Sequence, residues 1–393
     1  MFSVGDLRVG KRPWEESIAA TRVLILSDAT STYRAMSVVR CLDAADIDVF
    51  VLSAGGSAAF GLSRRCRASA TLSRDDLVRD DQATTDRINE LVVGWKIDVV
   101  VPVDLESVLC VSRTSDRMQC AVFPVAPTEL LATMNDKWSF TRLVRDLGLL
   151  TPATVTLDQL SADSPNAFAG PLLVKPRAME AGVGVARVAS IGEALALRSR
   201  IRKPADWVVQ EYVPGEDIDF SVLASSGRII AHTVEARPSP GCVEFTTDPE
   251  VFRIGARIVT GTKFTGAANF DLRRDARDGS VRVIESNPLL WDTVGAPAEF
   301  GLNFPALGVL MALGLELPEI RRLTDGLWLT PRRLVGELLD VRRKPRASPE
   351  SWLSLRRVIA DPFPWIYELL IEPRSVRRLR REFELERSTS RLS

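Results

Sequence analysis

The chain has 393 residues, with 51 Lys and Arg against 51 Asp and Glu, and 46% of its residues are apolar. This length allows two or three domains with large cores, and zero net charge gives no whole-chain case for nucleic-acid binding. No apolar run approaches the roughly 18 residues of a membrane span, and residues 1–14 lack the apolar core of a signal peptide, so we expect a cytoplasmic protein.

Cysteine and histidine usage excludes several kinds of site. The five cysteines are Cys41, Cys66, Cys110, Cys120 and Cys242. Their spacing matches no metal-ligand pattern, so we expect reduced thiols. The chain has one histidine, His232, which argues against a zinc site or a histidine-based triad. Alternating apolar residues around His232 predict a strand, where it is either a general base near a cleft or, as we favour, a half-buried strand residue.

The N-terminal third alternates between strands and helices. After a polar lead-in at 1–20, the predicted strands are 22–26, 49–52 and 97–103 and the predicted helices are 33–45 and 84–95. Asp104 is predicted to cap a further helix that ends near residue 112, and residues 121–125 close the region. This alternation predicts a parallel, doubly wound sheet, and we assign residues 21–126 to a Rossmann-like domain. The first loop, Ser27-Asp28-Ala29, lacks the G-x-G-x-x-G pattern of dinucleotide-binding domains.

Two lysines accompany features that suit phosphate binding. Lys137 lies in the first turn of a predicted helix with Asp136 as its N-cap, and Lys175 ends an apolar strand. A loop containing Gly182 and Gly184 follows Lys175, and glycines allow backbone N–H groups to approach a phosphate closely. Each feature is common by itself, and a lysine near a helix start is often only solvated.

A second segment suits recognition of a nucleoside. The strand that contains Gln210 and Glu211 leads through Val213 into a short Pro-Gly connection, and Asp217 follows. Backbone groups at such a strand end can bond an adenine edge, and the Asp217 carboxylate can bond a ribose hydroxyl.

The most informative segment is a predicted hairpin near residue 278. Asn269 and Asp271 alternate on one strand, and Glu285 and Asn287 alternate on the next. Asp278-Gly279 between them is a favoured turn pair. The hairpin can therefore present two carboxylates and two carboxamides on one face, a set of oxygen ligands that suits Mg²⁺. The alternative is a hairpin whose polar residues are merely solvated.

Taken in order, these residues resemble the ATP-grasp superfamily, particularly its carbamoyl-phosphate-synthase-like and carboxylate–amine ligase branch. The resemblance covers roughly residues 20–312. It implies an α/β and α+β protein with an N-terminal Rossmann-like parallel-sheet domain, a two-lobed ATP-grasp core and, here, a helical C-terminal extension. It also implies ATP and Mg²⁺ (or Mn²⁺) as cofactors.

The resemblance assigns a role to each candidate residue. Lys137 and Lys175 would contact the ATP phosphates, and the loop with Gly182 and Gly184 would close over them. The remaining roles are adenine contact for Gln210, Glu211 and Val213, ribose contact for Asp217, and metal binding for Asp271, Glu285 and Asn287. Asn269 would be the asparagine that this branch carries two residues before its first metal ligand.

The chain departs from the family pattern at the acceptor site. Many members continue the last motif as Asn-Pro-Arg, and that arginine helps to bind the acceptor or the transferring phosphoryl group. Here Leu289 follows Pro288. Recognition of a carboxylate should then depend on another arginine, and we consider Arg237 and Arg253. The glycine loop also lacks serine and lysine, so its phosphate contacts should be made by the backbone.

Domain boundaries and the C-terminal tail complete the prediction. We place the first ATP-grasp lobe at 127–206, the second at 207–320 and a basic helical extension at 321–393. Residues 331–393 hold 15 Lys and Arg and nine Asp and Glu, interleaved with aromatic residues. Such a tail either packs its aromatic residues on the body, which we favour, or contacts an anionic membrane surface.

The predicted reaction joins a carboxylate to an amine. The resemblance implies that ATP converts the acid into an acylphosphate, which an amine then attacks, with release of ADP and phosphate. The partners would be these small molecules, with no nucleic acid, and a homodimer is compatible with the sequence. The alternatives are a non-catalytic nucleotide-binding regulatory protein and a phosphotransferase that acts on a hydroxyl group.

Overall fold

A computed structural model describes residues 16–54, 58–79, 82–164, 168, 170–179, 183–340 and 347–367. Gly182, most of the polar lead-in and residues 341–346 and 368–393 of the predicted extension lie outside the described residues. Within those ranges, no helix combines the length and apolar character needed to cross a membrane. All five cysteines are free thiols.

The N-terminal domain is built on a parallel five-stranded sheet with the strand order β3-β2-β1-β4-β5. Its elements are β1 (Arg22–Ser27), α1 (Thr32–Asp43), β2 (Asp48–Ala54), α2 (Ala58–Leu62), β3 (Cys66–Leu72), α3 (Arg74–Arg79), α4 (Gln82–Trp95), β4 (Val99–Pro102), α5 (Leu105–Thr114), a 3₁₀ turn (Ser115–Arg117) and β5 (Ala121–Val122). The doubly wound parallel sheet predicted for this region is confirmed. Asp104 caps α5 by accepting a hydrogen bond from the Ser107 N–H.

Strand β3 and helices α2 and α3 were not predicted. β3 lies at the sheet edge, and its residues alternate between half-buried and exposed rather than forming a continuous apolar run. An edge strand with small residues such as Ala68, Ser69 and Ala70 carries little hydrophobic signal, because only one of its edges is paired.

A small antiparallel sheet with the order β6-β9-β7-β8 forms the first lobe. The elements of this region are α6 (Thr128–Asn135), α7 (Lys137–Asp146), β6 (Thr154–Thr156), β7 (Leu172–Pro176), β8 (Ala186–Val188), α8 (Ile191–Arg198), a 3₁₀ turn (Pro204–Asp206) and β9 (Trp207–Glu211). Asp136 is the N-cap of α7, as predicted, and accepts a hydrogen bond from the Ser139 N–H at 2.7 Å.

A larger antiparallel sheet with the order β14-β13-β10-β11-β12-β15 forms the second lobe. Its region contains β10 (Gly215–Ser225), β11 (Arg228–Ala236), β12 (Cys242–Thr246), α9 (Pro249–Thr262), β13 (Gly266–Asp275), β14 (Val281–Asn287), α10 (Gly295–Glu299), α11 (Phe304–Ala312) and β15 (Leu327–Leu329). Side chains alternate between its two faces, so that Phe220 and Phe270 pack in the core beneath α7 while Asp219 and Asp271 line the opposite face.

The transition between the lobes differs from the predicted boundary at 206/207. β9 pairs with β6 and β7, so residues 207–211 belong to the small sheet, and the chain enters the large sheet only at Gly215. Helix α7 packs Phe140 and Val144 against the core of the large sheet, although it precedes the small sheet in sequence. Strand pairing and helix packing are long-range relationships, and local periodicity does not report them.

The C-terminal extension packs on the large sheet, through pairing of β15 with β12, and on the N-terminal domain. It consists of β15, α12 (Pro331–Leu339) and α13 (Pro349–Ala360), followed by further helical residues from 362. Trp328 Nε1 donates to Ser354 Oγ at 2.9 Å. Buried Asp361 accepts hydrogen bonds from Ser63 Oγ at 2.5 Å and from the Arg64 N–H at 3.2 Å. The inner face of the extension therefore packs on the body.

Candidate active site

A cleft of about 420 Å³ lies between the small and large sheets. Its walls carry most of the residues predicted from the sequence and several that were not. The lining residues are Lys137, Leu173, Lys175, Pro176, Met179, Val183, Val185, Gln210, Glu211, Tyr212, Val213, Asp217, Asp219, Arg237, Asp271, Leu272, Arg273, Ile284 and Glu285.

Strand register places four carboxylates in one row across the large sheet. Glu285 lies opposite Asp271, Asp271 opposite Asp219, and Asp219 opposite Glu235. Neighbouring strands are about 4.8 Å apart, so successive members of this carboxylate row are close neighbours. The predicted hairpin supplies two of the four. Asp219 and Glu235 were missed, although each lies in a strand whose polar residues alternate.

Both predicted lysines approach Glu285. Lys137 Nζ lies 3.3 Å from Glu285 Oε2, and Lys175 Nζ lies 3.8 Å from the same oxygen. Burial lowers the pKa of Lys175 to about 8, and the charge of Glu285 opposes that shift. Burial disfavours the ionised form of Glu285, yet the two ammonium groups hold its pKa below the ordinary value. The arrangement concentrates positive charge beside the end of the row, where a phosphate would meet it.

The pair of carboxyl groups on Asp271 and Glu285 fits a divalent cation. Burial raises the pKa of Asp271 well above its ordinary value, and the nearby charges of Asp219 and Glu285 raise it further. A bound Mg²⁺ relieves such repulsion and prefers carboxylate oxygens. No group of three or more His, Cys, Asp or Glu side chains in the described ranges is placed to hold a metal ion, so phosphate oxygens and water would have to complete the coordination.

The two predicted asparagines form a second row beside the first. Asn269 lies opposite Asn287 on one side and Ser221 on the other. Asn269 Nδ2 donates to Ser221 Oγ at 3.0 Å. Burial raises the pKa of Asp219, and the neighbouring Asn269 amide opposes that rise. Neither asparagine is among the residues that line the cleft. In the structure Asn269 holds the carboxylate row in place. Asn287 lies two residues beyond Glu285 on β14 and is therefore not directly opposite Asp271.

Arg237 lies at the opposite end of the row from the lysines. Its Nε and Nη2 lie 2.6 Å from Asp219 Oδ2, and Nη2 also donates to Glu235 Oε2 and Thr293 Oγ1, each at 2.9 Å. Glu235 is fully buried and accepts a further bond from Thr233 Oγ1 at 2.7 Å. No hydrogen bond joins Nη1 to a described residue, and Arg237 is among the residues that line the cleft.

The part of the cleft wall formed by residues 210–213 carries the apolar and backbone groups that suit a nucleotide base. Val213 lines it, and its N–H makes no backbone hydrogen bond within the described part of the chain. The Glu211 N–H already donates to the Ala153 carbonyl at 2.8 Å. The Glu211 carboxylate pairs with Arg277 at 2.6 Å. Gln210 is buried and donates to Thr154 Oγ1 at 3.1 Å.

Two further residues of the cleft wall were not identified from the sequence, and the surroundings of Asp217 differ from those of a free ribose-binding carboxylate. Leu272 and Ile284 flank the two hairpin carboxylates and line the cleft, beside a register shift after Asp271. Asp217 is more than half exposed and pairs with Arg273 at 2.9 Å, so a ribose hydroxyl would share this carboxylate with Arg273. Gly184 has φ +77°, a conformation that favours glycine.

Two sequence candidates lie outside the site. His232 stacks on Phe220 and contacts the tilted ring of Phe252, with ring centroids 5.6 and 4.8 Å away, on the helix-covered face of the sheet. Burial lowers its pKa to about 4, which agrees with the half-buried strand residue that we favoured. Arg253 is exposed on α9 and donates to the Pro249 carbonyl at 3.3 Å. As an acceptor-binding residue, Arg253 is a wrong prediction.

Comparison with known proteins gives a consistent assignment of the fold. The family described as "ATP-grasp in the biosynthetic pathway with Ter operon" matches residues 203–331. No curated protein matches the chain.

Several solved structures are similar to three quarters of this chain or more. L-amino acid ligase from Bacillus licheniformis is 17% identical, with a TM-score of 0.56 over 75% of this chain and 74% of that chain. Carboxyaminoimidazole ribonucleotide synthase from Aspergillus clavatus, complexed with ATP, is 13% identical, with a TM-score of 0.60 over 93% and 100% of the two chains. Biotin carboxylase from Campylobacter jejuni is 16% identical, with a TM-score of 0.58 over 77% and 73%.

At these identities the similarity establishes the fold, while the substrates of the neighbours remain properties of those proteins. The resemblance inferred from the residue order is confirmed, and the chain has the fold of the ATP-grasp superfamily.

Proposed function

We propose that the protein is an ATP-dependent ligase that activates a carboxylate as an acylphosphate and joins it to an amine. The observation that carries the proposal is the convergence of Lys137 and Lys175 on Glu285, opposite Asp271, in one cleft. Positioned positive charge stabilises the charge that develops on a transferring phosphoryl group. ATP would lie with its base near Val213 and its phosphates at the lysines.

Asp271 and Glu285 would hold Mg²⁺, with Asn287 as a candidate third ligand, and the metal would neutralise phosphate charge when bound. The two lysines would orient the phosphate oxygens, and the loop around Gly184 would cover them. The acid would approach the γ-phosphoryl group in line from the acceptor end of the carboxylate row, which is the end where Arg237 lies. The chemistry requires little acid–base catalysis, which agrees with the position of His232 outside the cleft.

Arg237 is our candidate for acid binding at this end, in place of the arginine that many relatives carry after Asn-Pro. Its pairing with buried Glu235 offsets its charge locally. Selection of the acid would therefore rest on a directed hydrogen bond from Nη1 more than on net charge. Thr293 would fix the loop after the metal-binding strand to the same guanidinium.

Hydroxylamine trapping tests this reaction class. The protein is incubated with ATP, Mg²⁺ and a library of carboxylic acids, without amine, and hydroxamate and ADP are measured. The proposal predicts hydroxamate and ADP in equal amounts for the correct acid. AMP and pyrophosphate would instead indicate adenylation, and a stable phosphorylated product would indicate the phosphotransferase alternative. ATP binding without any turnover would support the regulatory alternative.

Arg237→Met should raise the KM for the acid about tenfold or more while ATP affinity is retained, because one charge-assisted hydrogen bond to the acid is lost. Arg253→Met is the matched control, since this exposed arginine lies outside the cleft. An unchanged KM in Arg237→Met would remove Arg237 from the acid site and leave the reaction class standing.

A further inference from the structure

The two faces of α13 have different surroundings. Leu355 and Val358 are buried against the body of the protein. On the opposite side, Trp352, Leu353 and Ile359 are exposed, Ile359 to 65% of its surface. A surface helix ordinarily presents polar side chains to solvent. The helix is therefore apolar on both sides, and only one side has a protein partner among the described residues.

Exposed apolar side chains are concentrated in this part of the molecule. Of the thirteen large apolar residues that are strongly exposed in the described ranges, seven lie between residues 331 and 367. These seven, which we call the outer face, are Leu338, Leu339, Trp352, Leu353, Ile359, Phe363 and Ile366. Scattered single apolar residues on a surface need no explanation, whereas a concentration of this kind marks an interaction surface.

The charge of the same region indicates the occupant. Residues 331–393 hold 15 Lys and Arg against nine Asp and Glu, in a chain that is otherwise slightly acidic. The excess lies in 341–346 and 368–393, which adjoin the described residues of the outer face in sequence. Exposed Arg356 lies between Trp352 and Ile359 at helical spacing. Aromatic and aliphatic anchors accompanied by arginines match the boundary between the acyl chains and headgroups of an anionic bilayer. Two copies of so basic a region would repel each other, which disfavours self-association through this face.

We propose that the outer face binds the surface of an anionic membrane. At 12 residues, α13 is about 18 Å long, so it would lie in the plane of the interface rather than cross it. The inner face would stay packed on the body through Ser354 and Asp361, so that binding requires no unfolding. This inference does not depend on the proposed reaction.

Co-sedimentation with vesicles of phosphatidylcholine, with and without phosphatidylserine, tests the proposal on the full chain. Wild-type protein should sediment with the phosphatidylserine vesicles at low salt and much less at high salt, because screening weakens the arginine contacts. The double variant Ile359→Asp/Phe363→Asp should bind about tenfold more weakly or worse, since two anchors are lost. Val93→Asp, which changes an equally exposed valine on α4, should bind as wild type does. Circular dichroism verifies that each variant is folded.

Three outcomes would overturn the proposal. The first is wild-type protein that does not bind phosphatidylserine vesicles at low salt. This outcome would overturn the proposal even if a variant that lacks residues 368–393 bound the vesicles. The second is a folded double variant that binds as tightly as wild type. The third is wild-type protein that is dimeric by light scattering while the double variant is monomeric, which would assign the outer face to a second copy.

Discussion

Asp271 and Glu285 lie directly opposite each other on the antiparallel strands β13 and β14. One member of the pair, Glu285, is kept ionised by two lysines. The other, Asp271, is pushed toward its protonated form by burial and by its acidic neighbours. The two carboxyl groups of the pair therefore differ in their tendency to hold a proton when no metal ion is bound.

The Asp271→Asn variant should fold stably in the absence of Mg²⁺. Its thermal stability should no longer respond to Mg²⁺. The folded state raises the pKa of Asp271 above 3.8, so folded wild type holds a proton more tightly than the unfolded chain does. Its stability therefore falls as the pH rises from about 4 through the folded pKa, and the asparagine variant lacks this loss.

Thermal unfolding across a pH series, with and without Mg²⁺ and a nonhydrolysable ATP analogue, measures both effects. Turnover should fall about 100-fold or more, because several kcal/mol of charge stabilisation is lost. The control is Asp75→Asn, at an exposed carboxylate in the N-terminal domain. A strongly destabilised variant that keeps its Mg²⁺ response would contradict the assignment.

ATP affinity should decrease as the pH rises through about 8, where buried Lys175 loses its charge. Between about 8 and 10.5 the folded state binds fewer protons than the unfolded chain, so the nucleotide-free protein gains stability across this window. Lys175→Met should lack both trends and bind ATP about 10- to 100-fold more weakly. Calorimetric titration of ATP at several pH values tests the predicted affinities, and Lys203→Met, at an exposed lysine, is the control. Affinity of wild type that is independent of pH would count against Lys175 as a phosphate ligand.

His232→Phe should retain turnover and its pH profile near neutrality. The imidazole contacts two phenylalanine rings, and its pKa is lowered to about 4 by burial, so it is uncharged at neutral pH. We expect the free energy of unfolding to change by about 1 kcal/mol or less, since another aromatic ring fills the same space. A loss of turnover with an intact fold would restore His232 as a candidate base.

Asp361→Ala should destabilise the protein without altering ATP affinity. Its buried carboxylate accepts bonds from Ser63 Oγ and the Arg64 N–H, which the variant leaves unpaired. The expected loss is about 2–3 kcal/mol in the free energy of unfolding, measured by chemical denaturation. Glu319→Ala, at an exposed glutamate, is the control. Unchanged stability would mean that the extension is not fixed to the N-terminal domain by this residue.

The sequence predicted the hairpin because its information is local. Asn269 and Asp271 alternate on β13, Glu285 and Asn287 alternate on β14, and Asp278-Gly279 joins the two strands. The lysines were found from a helix N-terminus and a strand end. Each of these signals spans only a few residues, and the resemblance to a family supplied their order.

The acceptor end was predicted poorly because it depends on which strands are neighbours. Asp219 becomes part of the site only because β10 lies between β13 and β11. Glu235 matters because register places it opposite Asp219 and behind Arg237. Alternation along a strand divides its residues between two faces, but it does not indicate which face lines the cleft.

Transfer of a heavy-oxygen label tests the central claim most directly. Once a trapping screen identifies the acid, its carboxylate is prepared with the label and supplied with ATP, Mg²⁺ and the amine. If the cleft transfers the γ-phosphoryl group to the carboxylate, one labelled oxygen leaves with each phosphate when the amine displaces it, and ADP is unlabelled. Phosphate free of label, with the product formed, would contradict an acylphosphate and the roles proposed for Lys175 and Glu285.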